Sequence, residues 1–141
     1  MHDLHHNAKI KPAISPQVGT DDTPFVSTII DRANAETVEF AIATGTLADA
    51  DVTATVLVEE GDAANLSDAA AVADDDLLGT EAGAAISFAD DDEARKIGYI
   101  GAKRYVRLTV TPANNTGNFA ISAVAILSGL RDVPQTAQVQ S

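Results

Sequence analysis

The sequence predicts an all-β fold: an antiparallel β-sandwich or jelly roll of about eight strands with one long Ala-rich excursion. Three observations carry that expectation. Apolar residues alternate with polar ones at a period of two over most of the chain, turn-forming residues separate the alternating segments, and the segments are short and regularly spaced.

In chain order, Ala8 to Ile14 reads as a first strand or arm, ended by Pro16. Phe25 to Ile30 alternates less regularly and is the second strand. Thr37 to Thr44 puts Val38, Phe40 and Ile42 on one side. Val52 to Glu59 does the same with Val52, Ala54, Val56 and Val58 against a Thr and Glu face. Such strands are half-buried, with one face in the core and one in water. Gly45 and Glu60-Gly61-Asp62 end these two strands.

Between Gly61 and Gly79 the pattern breaks. The segment Asp68 to Ala73 is Ala-rich and is expected to form at most two helical turns, capped by Asn65 or Ser67. Ala84 to Ala89 and Arg95 to Ile100 are further short strands. Tyr105 to Thr111 alternates Val106, Leu108 and Val110 with Tyr105, Arg107 and Thr109. A turn over Pro112 to Gly117, rich in Asn and Gly that tolerate positive φ, leads to the last strand.

That last strand, Asn118 to Ser128, is apolar on both sides. Phe119, Ile121, Ala123, Ala125 and Leu127 form one face, and Val124 and Ile126 extend the other. Its second face must therefore be covered, either by a loop or by a partner subunit. Val124 and Ile126 are the candidate dimer-interface residues. The organisation expected is a single jelly-roll domain over 1–128, with 1–15 as arm or first strand, and a polar tail over 129–141 that adds little to the core.

Composition narrows the function. The chain has 141 residues, no Cys and no Trp, and 4% aromatics. Disulfides, thiolate metal sites and cysteine nucleophiles are excluded, and aromatic stacking platforms for sugars or bases are scarce. A formal net charge of −12 opposes a whole-surface hold on nucleic acid or an anionic membrane. No apolar run approaches the ~20 residues that span a bilayer. The N-terminus lacks a basic region followed by an apolar stretch, so no secretory leader is expected.

Charge is segregated. Residues 31–93 hold 17 acids and one base, whereas 94–141 hold six bases and one acid. Arg95, Lys96, Lys103, Arg104 and Arg107 crowd together in that second part. A hairpin through Gly101, pairing Arg95 to Ile100 with Tyr105 to Thr111, would gather the five at one edge as a contact patch. Pairing with the protein's own acids is the competing expectation.

Catalysis finds no foothold. All three His lie in the first six residues, where His2, His5 and His6 form a terminal arm rather than a triad or metal site within a fold. Asp74-Asp75-Asp76 and Asp90-Asp91-Asp92-Glu93 lack the ligand spacing and loop Gly of an EF-hand and read as solvated loops. No phosphate-loop string occurs among the glycines. No catalytic residue, cofactor or metal is expected.

Four segments carry a resemblance. These are Met1 to Asn7, Ala43 to Asp51 with Asn65 to Ala70, and above all Gly98-Tyr99-Ile100-Gly101-Ala102-Lys103-Arg104-Tyr105-Val106-Arg107. From Met1 to about Ser128 the chain resembles the jelly-roll cement, or decoration, proteins of podophage capsids. The resemblance implies a homodimer bound to the outer surface of a shell of major capsid protein, made in the host cytoplasm and carried on the virion. It transfers no contact residues. The alternative is a receptor- or glycan-binding jelly-roll module of a phage tail or head fibre, which the shortage of aromatics disfavours.

Overall fold

The computed structural model describes residues 3–141, and among them eleven strands form two antiparallel sheets. Six strands are long: β1 (Lys9–Gly19), β4 (Thr37–Leu47), β5 (Thr53–Gly61), β9 (Ala94–Tyr99), β10 (Tyr105–Ala113) and β11 (Phe119–Ser128). Five are two-residue bridges: β2 (Phe25–Val26), β3 (Ile30–Asp31), β6 (Ala70–Ala71), β7 (Leu77–Leu78) and β8 (Ile86–Ser87). The first sheet runs β1-β11-β4-β9-β7. The second runs β2-β10-β5-β6, with β3 also on β10 and β8 also on β5. The fold is an antiparallel β-sandwich of the jelly-roll kind.

Alternation in the sequence becomes the inner faces. Val38, Phe40 and Ile42 of β4 meet Val106, Leu108 and Val110 of β10 in a core where all six are fully buried. Each such side chain contributes roughly 1.5–3 kcal/mol. On β11, Phe119, Ile121, Ala123, Ala125 and Leu127 are buried as the spacing requires.

Four expectations are corrected. β1 does not stop at Pro16 but continues to Gly19. It does so through irregularities between Pro12 and Ile14 and between Ile14 and Gln17, where a bulge lets the adjacent Ala13 and Ile14 both turn inward. β1 is an edge strand, so its prolines remove no ladder bond. The Ala-rich excursion is not helical over 68–73. Its Ala70–Ala71 pairs with Glu60 and Glu59 of β5, and the Val72 amide donates to the Val58 carbonyl at 3.0 Å. One 3₁₀ turn follows at Asp74–Asp76. Asn65 Oδ1 accepts from the Ser67 amide at 3.0 Å, an Asx turn rather than a helix cap. Finally, β9 and β10 are not a hairpin: they belong to opposite sheets, and residues 100–104 cross between them. Of the tail, Leu130 packs against the core.

That crossover is held by Tyr99. Its fully buried ring comes from the first sheet, and its hydroxyl donates to Glu60 Oε1 on the second sheet at 2.8 Å. The Lys103 amide donates back to the Tyr99 hydroxyl oxygen at 2.9 Å. A Cβ on Gly101 would lie 2.5 Å from that oxygen, so the close approach requires glycine. Burial, with the neighbouring Glu60 carboxylate, pushes the Tyr99 phenol up to about 12.

The sheet margins are short or covered over much of their length. All but β1 end in two-residue bridges. Thr28 covers β1, with its amide on the Ala13 carbonyl and its hydroxyl on the Pro12 carbonyl, each at 2.9 Å. The Ile10 amide donates to Gln140 Oε1 at 2.6 Å. Short, covered and proline-bearing edges discourage edge-to-edge pairing.

Candidate functional site

The five bases of residues 95–107 are distributed rather than gathered. Arg95 and Lys96 lie on β9, Arg107 lies on β10 of the other sheet, and Lys103 and Arg104 end the crossover. Four of them are ion-paired. Arg95 reaches Asp90 at 3.5 Å and Glu93 at 4.0 Å. Lys103 Nζ meets Asp62 at 2.7 Å, and Arg107 meets Glu59 at 2.9 Å. Arg104 grips Asp31 with Nε and Nη2, both at 2.9 Å. That fork holds the Asp31 carboxyl below its ordinary value, and Asp31 in turn raises Arg104. Asp62 likewise raises Lys103. The pairs on Lys103 and Arg104 are exposed, so solvent screens them and they add little to stability. Lys96 has no ion-pair partner among the described residues.

Lys96 instead belongs to the outer face of the five-stranded sheet. Strand register sets two rows across it. Ile10, Ile126, Glu39, Gly98 and Leu78 form one, and Pro12, Val124, Ala41 and Lys96 form the next. Among the strand residues that point outward here, Glu39 and Lys96 are the only charges. Val124 is 41% exposed, and Ile10 and Leu78 are exposed beside it. Half-burial raises the Glu39 carboxyl above its ordinary value, with the charge of Lys96 acting against that rise.

The two covers foreseen for β11 divide between its residues. Ile126 is half-buried and shares a hollow with Leu4, Ile10 and Gln140, brought there by the N-terminal turn and the tail. The Gln135 amide joins the two segments by donating to the His6 carbonyl at 2.8 Å. Val124 is left in the open.

The remaining candidates do not assemble a reactive site. His6 pairs with Asp3 at 2.9 Å in the exposed N-terminal turn, His5 stacks edge-on against it, and His2 lies outside the described residues. Asp74 and Asp75 are exposed and Asp76 is half-buried, while Asp90 is engaged by the Ser87 amide and by Arg95. Among the described residues no three His, Asp or Glu side chains gather closely enough to hold a metal ion. Phe88 is exposed in the turn after β8, and Tyr105 is overlain by Arg104 at 5.2 Å.

Sequence reasoning missed one feature, a concavity of about 490 Å³ lined in part by Arg32, Glu36, Arg104 and Arg131. Its bases lie far apart in the chain. No spacing signal in the sequence joins them.

No protein-family model matches the chain, and no curated protein sequence does. In fold it is similar to the PBSX exported protein XepA, with a TM-score of 0.59 and 14% identity, covering 100% of this chain and 44% of that one. The chain thus spans less than half of that protein's length. Two others are similar at lower scores. A protein of the disulfide-linked pili of Bacillus endospore appendages has a TM-score of 0.46 and 8% identity over 92% of this chain and 96% of its own. The xylan-binding module CBM15 has 0.43 and 10% over 92% and 95%. At such identities the likeness is one of fold.

Proposed function

We infer that this chain is a non-enzymatic structural module, a capsid cement protein that docks as a homodimer on the outside of a phage shell and ties neighbouring major capsid protein subunits together. One observation carries the reading: the outward strand residues of the five-stranded sheet include only two charges, Glu39 and Lys96, and leave Val124 open, in a protein of net charge −12. Most of the acids lie in the loops, where they repel a second copy, and the outward residues of the second sheet carry the Glu59–Arg107 pair. Around a two-fold axis, Glu39 and Lys96 of one copy can oppose Lys96 and Glu39 of the other, so the face is self-complementary. The four long strands of this sheet span on the order of 600 Å² per copy, part of it under the N-terminal turn and the tail, and a specific interface needs roughly 1,000 Å² in total. Short and covered sheet edges favour the same face-to-face arrangement.

Cementing requires no bond chemistry. A rigid dimer that touches two shell subunits makes their separation break both contacts, and linkage of the two strengthens the hold. The capsid contact falls at the end of the sandwich that carries Lys103 and Arg104, clear of the dimer face. Glycan binding is the weaker reading because neither outer sheet face offers an open aromatic platform among the described residues. Co-sedimentation with capsids of the major capsid protein encoded in the same genome, run beside a glycan-binding screen, tests the assignment. Capsid binding without glycan binding supports it; the reverse overturns it.

A further inference from the structure

We propose that the hollow lined by Arg32, Arg104 and Arg131 is the site that seats an acidic segment of the protein on which this chain docks, its carboxylates taken by the guanidinium forks. The proposal deepens the docking reading above and rests on it.

The observation is a distribution of partners. With 21 acids against nine bases, most bases in this chain should find a carboxylate, yet Lys9, Lys11, Arg32, Lys96 and Arg131 form no ion pair among the described residues. Four of those five gather at one end. Arg32 and Arg131 line the hollow with Arg104 and Glu36, while Lys9 and Lys11 line the adjoining hollow on the other side of the 31–34 turn, with Asp31 and Asp132. This end therefore sets five bases against three acids, in a protein of net charge −12. The rest of the charge matters little to a ligand there, because the Debye length is about 8 Å at physiological salt.

The frame is built in advance. The Arg32 amide donates to the Arg104 carbonyl at 3.0 Å, the Glu36 amide to the Ser128 carbonyl at 2.9 Å, and the Arg131 amide to the Asn34 carbonyl at 2.9 Å. These bonds tie the β3–β4 turn, the crossover and the segment after β11 into one rim. Asn34 and Gly129 turn the chain at φ +69° and +65°. Arg32 is oriented by two backbone carbonyls and the Tyr99 ring: its Nε donates to the Lys103 carbonyl, its Nη1 to the Ala35 carbonyl at 3.1 Å, and its guanidinium lies 5.8 Å from the ring centre. An arginine has five N–H donors, so three remain on Arg32. Arg104 keeps Nη1 free beyond its grip on Asp31, and the Arg131 guanidinium donates to no protein group among the described residues. Oriented guanidinium groups with unused donors match the planar geometry of carboxylates. A short acidic segment fits this patch, whereas a long polyanion such as nucleic acid would run onto the acidic surface around it.

Titration of the protein with hexaglutamate, followed by backbone amide NMR shifts, tests the site. Arg131→Gln is the variant of choice, since Arg131 is exposed and its rim contact is made by the backbone. Shifts confined to residues 31–36, 102–104 and 129–131 are expected, with binding weakened about fivefold in Arg131→Gln at an unchanged melting temperature. No shifts, shifts elsewhere, or unchanged binding by the variant would overturn the proposal. So would tighter binding of a ten-residue oligothymidylate than of hexaglutamate. Capsid co-sedimentation separates this proposal from the one beneath it. If Arg131→Gln loses hexaglutamate but still co-sediments normally, the pocket is not the docking site and the docking reading stands. If the unmodified protein binds hexaglutamate at these residues but never binds capsids, the acidic-peptide site stands and the docking reading fails.

Discussion

Replacing Tyr99 with Phe removes one oxygen and leaves the packing of the ring intact. The oxygen is the junction of two hydrogen bonds that join the sheets at the crossover, one to the Glu60 carboxylate and one from the Lys103 amide. A hydrogen bond to a charged group is worth about 1.5–3 kcal/mol and a neutral one about 1. Glu60 is half-buried, so water recovers part of the loss, and the net cost should be about 2 kcal/mol. With an unfolding entropy of about 2.1 cal/mol/K per residue, 141 residues give about 0.3 kcal/mol/K, so the melting temperature should fall by about 7 °C. The comparison needs equal protein concentrations, because the proposed dimerisation would couple stability to concentration. The pH dependence supplies a second check. Tyr99 is raised from 10 to about 12 in the folded protein, so its contribution is complete below pH 10 and disappears as the pH rises through 12. The gap between the two proteins should be constant from pH 7 to 9 and narrow above that. A melting temperature within about 1 °C of the unmodified protein would refute the interlock.

Two further predictions concern charge and assembly. Asp31 is held below its ordinary value by the Arg104 fork, and Asp49, Asp68 and Asp90 by the backbone amides of Asp51, Asp62 and Ser87 in turn. Carboxylates with depressed folded values stabilise fully above about pH 4 and lose that contribution as pH falls through the folded values. Thermal melts should therefore hold steady down to about pH 5 and drop below about pH 4, whereas an undiminished melting temperature at pH 3 would contradict this. Val124→Asp places a carboxylate at the centre of the proposed dimer face without touching the core. The variant should run as a monomer by light scattering with an unchanged far-ultraviolet spectrum; a persistent dimer would put the interface elsewhere.

Half-buried strands were the legible part of the fold. In β4, β5, β10 and the inner face of β11, burial follows the alternation residue by residue, because one face of each is in the core and the other in water. Where a second rule competes, the pattern loses its authority. Helix propensity at Ala69 to Ala71 gives way to pairing with β5, and the Asp68 carboxylate turns back to the amides of Asp62 and Ala63 instead of opening a helix. Proline reads as a stop at Pro16, but an edge strand with bulges tolerates it. Gly101 suits a hairpin and a crossover equally well in sequence; the Tyr99 ring beneath it accompanies the second. The same crossover explains why the basic run was only half legible. Its members were visible as a cluster in sequence, yet the change of sheet separates Arg95 and Lys96 from Arg107. Arg32 and Arg131 join Arg104 only through the meeting of three distant segments.

Capsid binding is the measurement closest to the central claim. Purified protein, mixed with shells assembled from the major capsid protein of the same genome, should pellet with them at a saturating ratio. The decorated shells should also resist heating to temperatures that open bare ones. Protein that stays in the supernatant at every ratio, or that pellets without raising the temperature at which the shells open, would contradict a cementing role.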